Sequence, residues 1–164
     1  MIYRRADIKG GAYFLTINLA DRHFTLLTDE FDKLRNSINK VKQRHHFVLD
    51  AMVVPPDHLH LLITLPEGDS DFSTPKTENI KKSRIAKQER GIWQRRFWEH
   101  FIRDETDFER HVDYIHYNPV KHGYVEQAAQ WEFSTIHKYI EKGVISSDWG
   151  SNQNDKLDSV FGER

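Results

Sequence analysis

The sequence predicts an α+β domain built on one antiparallel sheet, with helices on one face and additional C-terminal helices. Three observations support this fold class. Strand-like and helix-like segments alternate along the chain, two apolar strands flank a proline-rich turn, and 164 residues suffice for one domain of ordinary size. The predicted order is β-α-β-β-α-β, which is the ferredoxin-like arrangement. We expect residues 1–146 to form this domain and residues 147–164 to form a polar, mobile tail.

The first half of the chain predicts three strands and one helix. Residues 12–18 are rich in β-branched and aromatic side chains, which is typical of a strand. Apolar residues at spacings of three and four predict a helix over residues 28–45, with Thr28 or Asp29 as its N-cap. Residues 47–54 and 58–65 predict two more strands, and the prolines between them indicate a hairpin turn.

The second half predicts a loop, a strand and several helices. Residues 66–77 are polar and contain Gly and Pro, so we expect a loop, and residues 78–89 predict a basic helix. The later part of residues 92–102 is rich in Trp and Phe, which indicates a strand. A short helix is predicted over residues 131–142.

The helix that precedes Pro119 has a predicted start and a predicted end. Thr106 followed three residues later by Glu109 forms a capping box, with Thr106 as the N-cap. Proline disfavours the helical conformation of the residue before it. We therefore expect this helix to run through about Tyr117 and to stop at Asn118.

Composition and charge exclude several classes of protein. No apolar run approaches the roughly 20 residues that span a bilayer, and no signal peptide is evident, so we expect a cytoplasmic protein. The chain has no cysteine, which excludes disulfides, cysteine-based zinc sites and thiol nucleophiles. Although the net charge is -1, residues 76–103 contain nine basic and three acidic side chains. This local excess of positive charge favours a nucleic-acid partner.

Two histidines in the third predicted strand form a candidate metal site. His58 and His60 are two residues apart, so their side chains point to the same face while Leu59 and Leu61 face the core. Two adjacent imidazoles can hold a divalent metal and leave coordination positions open to another ligand, a phosphate oxygen or water. The alternative is a solvated strand face on which the histidines are incidental.

A tyrosine and an amide follow on the helix that precedes Pro119. Tyr114 and Asn118 are four residues apart and therefore share a helix face, where a tyrosine nucleophile can stand beside a third metal ligand. The alternative is that Tyr114 packs through its ring and Asn118 only ends the helix. Tyr117 is a competing nucleophile, but it is rotated about 60° from Tyr114, and Lys121 is the residue four positions later. We therefore prefer Tyr114.

Three segments of the chain resemble a known family. They are PPDHLHLL at 55–62, WQRRFWEH at 93–100 and YIHYNPVKHG at 114–123. In order and spacing they are similar to the landmark segments of the REP-associated tyrosine transposases, which act on repetitive extragenic palindromes. The resemblance covers residues 10–142.

The resemblance implies a fold, a chemistry and a substrate. The family belongs to the His-hydrophobic-His (HUH) single-strand nucleases, so the resemblance implies that His58 and His60 bind metal and that Tyr114 is the nucleophile. It further implies a DNA endonuclease and strand transferase that acts on palindromic REP hairpins through a 5′-phosphotyrosine intermediate, as a monomer. Related insertion-sequence transposases carry glutamine four residues after the tyrosine, where this chain has the shorter Asn118.

The predicted cofactor and DNA contacts follow from the same residues. Neutral imidazole and amide ligands suit Mn²⁺ and permit Mg²⁺, with Zn²⁺ as an alternative. We expect single-stranded or hairpin DNA at the nucleoid as the partner, bound by basic and aromatic side chains. The predicted DNA-binding residues are Arg4, Arg5, Lys82, Arg84, Lys87, Arg95, Arg96, Trp98, Lys121 and His122. Two other functions stay open: a nucleic-acid-binding module without catalysis, and a metal-dependent phosphohydrolase of small nucleotides that uses water.

Overall fold

The computed structural model describes residues 10–69, 91–94 and 96–151. Elements are numbered here in chain order within those ranges. The strands are β1 (Ala12–Asn18), β2 (Val48–Val53), β3 (His58–Thr64) and β4 (Trp98–Phe101). The helices are α1 (Leu26–Asp29), α2 (Phe31–Arg44), α3 (Glu105–Lys121) and α4 (Ile136–Glu141), with a 3₁₀ turn at Ala128–Gln130. Within the described ranges, no helix has both the length and the apolar character needed to cross a bilayer.

The four strands form one antiparallel sheet in the order β2-β3-β1-β4. This is the strand order of a ferredoxin-like sheet, so the predicted α+β fold class is confirmed. All four predicted strands are present, with ends that shift by one or two residues. The predicted basic helix at 78–89 lies outside the described residues.

The first predicted helix is two helices in the structure. α1 and α2 are separated at Glu30, whose φ of -113° and ψ of 27° depart from helical geometry. Neither Thr28 nor Asp29 is an N-cap, because both lie inside α1, so that prediction is wrong. The Asp29 carboxylate instead accepts a hydrogen bond of 2.7 Å from the hydroxyl of Thr25. α4 is also shorter than the predicted helix over 131–142.

α3 begins two residues before the predicted start. Its N-cap is Asp104, whose extended backbone has a φ of -157° and whose carboxylate accepts a hydrogen bond of 2.8 Å from the backbone N–H of Asp107. Thr106 lies inside the helix, so the predicted capping box is wrong. Aspartate is an N-cap at least as favourable as threonine, and here the earlier residue takes that position.

α3 also continues past the predicted end. Pro119 lies inside the helix, and Asn118 is therefore not the helix stop that the sequence predicts. Proline has no N–H to donate to the carbonyl four residues earlier, and its ring crowds that carbonyl, but the burial of its neighbours on α3 offsets this cost. The chain turns at Gly123, which has a φ of 73° and whose N–H bonds the carbonyl of Val120 at 3.0 Å.

The two faces of the sheet are covered by different helices. Val112 and Ile115 of α3 pack against one face, in a cluster that includes Leu62 of β3. Leu34 of α2 packs against the other face, in a cluster that includes Leu59. Because side chains alternate along a strand, β3 presents its even-numbered residues to α3 and its odd-numbered residues to α2.

Candidate active site

Two histidines of β3 lie side by side beneath α3. His58 and His60 share the face toward α3, while Leu59 and Leu61 pack in the cluster on the α2 side. The centroids of the two imidazole rings are 4.9 Å apart. Only 3% of His58 and 1% of His60 is exposed. This burial excludes the alternative of a solvated strand face.

Hydrogen bonds hold both imidazole rings through Nδ1. His58 Nδ1 donates to Oδ1 of Asp57 at 2.7 Å, and Arg22 Nε donates to the second oxygen of that carboxylate at 2.6 Å. His60 Nδ1 lies 2.8 Å from the hydroxyl oxygen of Thr16, its partner across the β1–β3 pair. A partner on Nδ1 fixes the orientation of an imidazole and makes Nε2 the metal-binding nitrogen.

The ionisation of Asp57 and His58 suits a metal site. Burial and the neighbouring His60 lower the pKa of His58, which favours the neutral imidazole. Burial opposes ionisation of Asp57, but hydrogen bonds from His58 and Arg22 outweigh it and lower the pKa of that carboxyl. A neutral imidazole that donates to a carboxylate is the form in which many metal-binding histidines occur.

α3 places Tyr114 and Asn118 against His60. The centroids of the Tyr114 and His60 rings are 5.3 Å apart, and Nδ2 of Asn118 lies 3.2 Å from Nε2 of His60. Asn118 is fully buried, and within the described part of the chain its Oδ1 has no hydrogen-bond partner. Leaving a buried amide oxygen unbonded costs free energy, so a ligand that binds this oxygen would recover that cost. The amide therefore fits the role of a third metal ligand.

Tyr117 has different surroundings. Tyr117 is three residues after Tyr114, about 60° short of a full helical turn, so its ring leaves the helix in another direction. The ring contacts Trp149, with centroids 6.2 Å apart, and a side chain at Gly150 would meet it at 3.3 Å. These contacts pack Tyr117 against the segment that follows α4.

Two side chains at the end of α3 extend this group. The Nζ of Lys121 lies 5.1 Å from the centroid of the Tyr114 ring. His122 lies beyond the helix, with its ring centroid 5.6 Å from that of His58. Burial and the nearby His58 lower the pKa of His122. The Lys121 ammonium group thus lies over the Tyr114 ring, and the His122 ring lies beside His58.

The structure describes only two of the remaining predicted DNA-binding residues. Arg96 is exposed, and Trp98 is 44% exposed on β4. Phe14 lies between Trp98 and the buried histidines. Its ring centroid is 5.6 Å from that of Trp98, and it stacks on His60 with centroids 5.4 Å apart. Six predicted DNA contacts lie outside the described residues: Arg4, Arg5, Lys82, Arg84, Lys87 and Arg95.

A second histidine group lies where β4 meets the start of α3. His100, Asp107 and His111 have ligand atoms within 4.8 Å of one another, so they form a group that can hold a metal ion. The carboxylate already accepts hydrogen bonds from His100 Nε2 at 2.9 Å and from the backbone N–H of Arg103 at 3.0 Å. His111 Nδ1 donates to the backbone carbonyl of Asp107 at 2.7 Å. Hydrogen bonds within the protein therefore already engage several of the atoms in this group that could bind a metal.

Sequence reasoning missed the residues that hold the histidines in place. Asp57 follows two prolines and precedes His58, and a carboxylate next to a candidate ligand was an available signal. Thr16 lies 44 residues from His60, and only the register of β1 against β3 brings them together. Arg22 lies in the segment between β1 and α1, where no periodic pattern indicates its partner.

Comparison with known proteins finds relatives that cover nearly the whole chain. A REP-associated tyrosine transposase from Escherichia coli (strain K12) is 48% identical over 162 residues, which cover 99% of this chain and 96% of that protein. A Haemophilus influenzae protein given the same family description is 41% identical over 169 aligned residues, covering 94% of this chain and 96% of that protein. No family model matches the chain.

A solved structure extends the similarity to three dimensions. It is described as a REP-associated tyrosine transposase bound to a REP hairpin, and it is 46% identical to this chain. It superposes with a TM-score of 0.84 and covers 100% of this chain and 98% of the other.

A ferredoxin-like sheet that carries a His-hydrophobic-His pair beneath a tyrosine-bearing helix defines the HUH class of transposases and nucleases. Within that class, the chain belongs to the REP-associated tyrosine transposases.

Proposed function

We propose that this transposase cuts and rejoins single-stranded DNA at the foot of a REP-like hairpin, with Tyr114 as its nucleophile. The observation that carries the proposal is the placement of Tyr114, His60 and Asn118 around one buried point next to His58. The relative whose structure is bound to a REP hairpin supports hairpin DNA as the substrate. We further propose that the protein acts as a monomer.

His58, His60 and Asn118 are the proposed ligands of a divalent cation, Mg²⁺ or Mn²⁺. The fit rests on two features: Nδ1 of each imidazole is engaged by a neighbour, and the buried Oδ1 of Asn118 has no hydrogen-bond partner within the described part of the chain. Exchanging the two ends of the amide would bring Oδ1 next to Nε2 of His60, where one cation could contact both atoms, and would put Nδ2 where the oxygen now lacks a partner. When bound, the cation would draw charge from a nonbridging phosphate oxygen and lower the barrier to attack.

In the proposed reaction, Oη of Tyr114 attacks the phosphorus of one phosphodiester. The new bond joins Oη to phosphorus, the bond from phosphorus to the 3′ oxygen breaks, and the strand that leaves carries a 3′-OH. The phenol proton passes to solvent, and the departing oxygen takes up a proton. Attack by another 3′-OH on the phosphotyrosine reverses these bond changes and joins two strands.

Other side chains around Tyr114 prepare this step. The helix and the rings of Phe14 and His60 confine the Tyr114 ring, so little side-chain entropy remains to be lost on attack. Lys121 places its ammonium group over that ring, where it can attract the DNA phosphate. Asp57 keeps His58 oriented through Nδ1.

A covalent adduct tests the proposal. Wild type, Tyr114→Phe and Tyr117→Phe are incubated with Mn²⁺ and a labelled hairpin oligonucleotide that carries a 5′ single-stranded extension, and the products are separated on a denaturing protein gel. We expect an adduct with wild type and Tyr117→Phe and none with Tyr114→Phe. Tight DNA binding without an adduct in any variant would instead indicate a non-catalytic binding module. Metal-dependent hydrolysis that survives Tyr114→Phe would indicate a water nucleophile.

A further inference from the structure

A second set of aromatic rings lies next to the histidine pair, outside the residues assigned to cleavage. It begins at His122, whose ring is 5.6 Å from that of His58. The ring of Tyr124 follows at 6.0 Å from His122, and Trp131 stacks on Tyr124 at 5.3 Å with an interplanar angle of 28°. The three rings thus lead from a proposed metal ligand to the surface of the domain.

The backbone and the neighbouring rings hold Tyr124 in place. Gly123, with a φ of 73°, turns the chain after α3, and the N–H of Tyr124 bonds the carbonyl of Pro119 at 2.9 Å. Trp131 supports the ring, and its own Nε1 donates to the carbonyl of Val54 at 3.3 Å. Tyr124 nevertheless remains 42% exposed. A flat ring that is rigidly supported and yet exposed is a surface prepared for stacking.

The charges near Tyr124 fit a nucleic-acid strand. Arg22 is bound to Asp57, and 54% of its side chain is exposed. Lys121 lies on the other side of His122 in sequence and reaches over Tyr114. Burial raises the pKa of Tyr124, and the Asp57 charge adds to that rise. Both cations thus lie beside the proposed cleavage site, where they can attract the phosphates of a strand that continues to Tyr124.

We propose that Tyr124, supported by Trp131, is a stacking site for a nucleobase of the single-stranded segment next to the cleaved phosphate. The position of that phosphate at Tyr114 rests on the proposed function, whereas the binding of a base does not. His122 lies between the two places, since its ring neighbours both His58 and Tyr124. One strand can therefore contact the cleavage site and the stacking site together.

The site is expected to be tolerant of sequence. Every base has a flat π face, and stacking on an aromatic ring does not read the hydrogen-bonding edge. The ring rather than the hydroxyl of Tyr124 carries the effect, so Tyr124→Phe should bind as tightly as the parent protein. Tyr124→Ala and Tyr124→Leu both remove the flat ring, and Leu retains apolar volume against Trp131 in case the Ala variant folds poorly.

DNA binding by variants in a Tyr114→Phe background tests this site without cleavage. Two hairpins are compared by fluorescence anisotropy, one with a single-stranded extension and one blunt, and 2-aminopurine is placed at successive positions of the extension. We expect Tyr124→Ala and Tyr124→Leu to weaken binding of the extended hairpin by about 5- to 150-fold and to leave blunt-hairpin binding unchanged. Stacking should quench 2-aminopurine at one position, and both variants should abolish that quenching.

Matched outcomes separate this proposal from the cleavage proposal. Val41→Ala changes a residue that is 50% exposed on α2 and serves as the surface control. Equal losses for the two hairpins, or no loss with either, would overturn the stacking site whether or not wild type forms an adduct. Absence of an adduct together with position-specific quenching would overturn the cleavage proposal and leave the stacking site standing.

Discussion

Two histidine groups lie on the same face of the sheet beneath α3, yet their hydrogen bonds differ. In the β3 group, each of His58 and His60 is held through Nδ1 by a neighbour, and the nearby Oδ1 of Asn118 has no hydrogen-bond partner within the described ranges. In the β4 group, the Asp107 carboxylate accepts hydrogen bonds from His100 and from the backbone N–H of Arg103. In the β3 group, Oδ1 of Asn118 is thus an atom that can accept a ligand, whereas the hydrogen bonds of the β4 group connect β4 to the start of α3.

Side chains of types that bind metal do not form a metal site merely because they lie close together. His100 and His111 stack with ring centroids 4.7 Å apart and an interplanar angle of 19°, which is a packing arrangement. Burial opposes ionisation of Asp107, but the hydrogen bonds from His100 and Arg103 outweigh it and lower the pKa of that carboxyl to about 2. The Asp107 carboxylate connects His100 of β4 to the backbone of Arg103, just before α3, and in this way serves as a structural anchor. We therefore propose that the β3 group binds the metal and that the β4 group supports the start of α3.

The largest expected effect is the loss of catalysis when the β3 group is removed. Replacing His58 and His60 together by Ala should abolish Mn²⁺ binding and slow adduct formation by about 1000-fold, because the electrostatic contribution of the metal is several kcal/mol. Single-turnover kinetics and titration with Mn²⁺ measure the two quantities. The matched variant His100→Ala should retain Mn²⁺ affinity. Loss of Mn²⁺ binding in His100→Ala alone would exchange the roles of the two groups.

A smaller effect is expected when the support of His58 is weakened. Asp57→Asn keeps the size of the side chain but removes the charge that His58 and Arg22 contact. The expected result is a loss of metal affinity of about 10- to 100-fold, which is usual for the partner of a metal-binding histidine. Calorimetric titration with Mn²⁺ measures it. Unchanged affinity in Asp57→Asn, with the fold intact by circular dichroism, would contradict the proposed ligand role of His58.

For the β4 group we expect a change in stability. Asp107→Asn removes the charge that strengthens the hydrogen bonds from His100 and Arg103, and should lower the free energy of unfolding by about 1–2 kcal/mol. Urea unfolding measures this change. Mn²⁺ affinity should stay within error of wild type. A fall in metal affinity larger than the fall in stability would show that this group binds the ion.

The smallest expected effect is on the pH dependence of stability. Because the folded-state pKa of Asp107 is lowered to about 2, its stabilising contribution is present above the unfolded pKa of about 3.8 and is lost as pH falls through the folded value. The stability difference between wild type and Asp107→Asn should therefore shrink as pH decreases from about 4 toward 2. Urea midpoints measured across this range check the sign. A difference that grows with acid would contradict the assignment of Asp107 as an ionised anchor.

The sequence predicted the elements of the site better than it predicted their supports. Strand alternation correctly put His58 and His60 on one face, and helical spacing correctly put Tyr114 and Asn118 on one face, because both depend only on local periodicity. The contact of Thr16 with His60 depends on the pairing of β1 with β3, which no local pattern encodes.

The errors at the helix ends have related causes. Asp104 and Thr106 are both acceptable N-caps, and the packing of α3 on the sheet selects the earlier one. Pro119 disfavours a helical residue before it, but that preference is small beside the burial of α3 against the sheet. Local preferences of this size yield to tertiary contacts.

The identity of the residue that becomes attached to DNA decides between Tyr114 and Tyr117 as the nucleophile. Trypsin releases residues 111–121 as one peptide, which contains both Tyr114 and Tyr117. After reaction with the extended hairpin, nuclease digestion and tandem mass spectrometry locate the nucleotide on that peptide. We expect a 5′-linked nucleotide on Tyr114. A nucleotide on Tyr117, or cleaved DNA with no modified peptide, would contradict it.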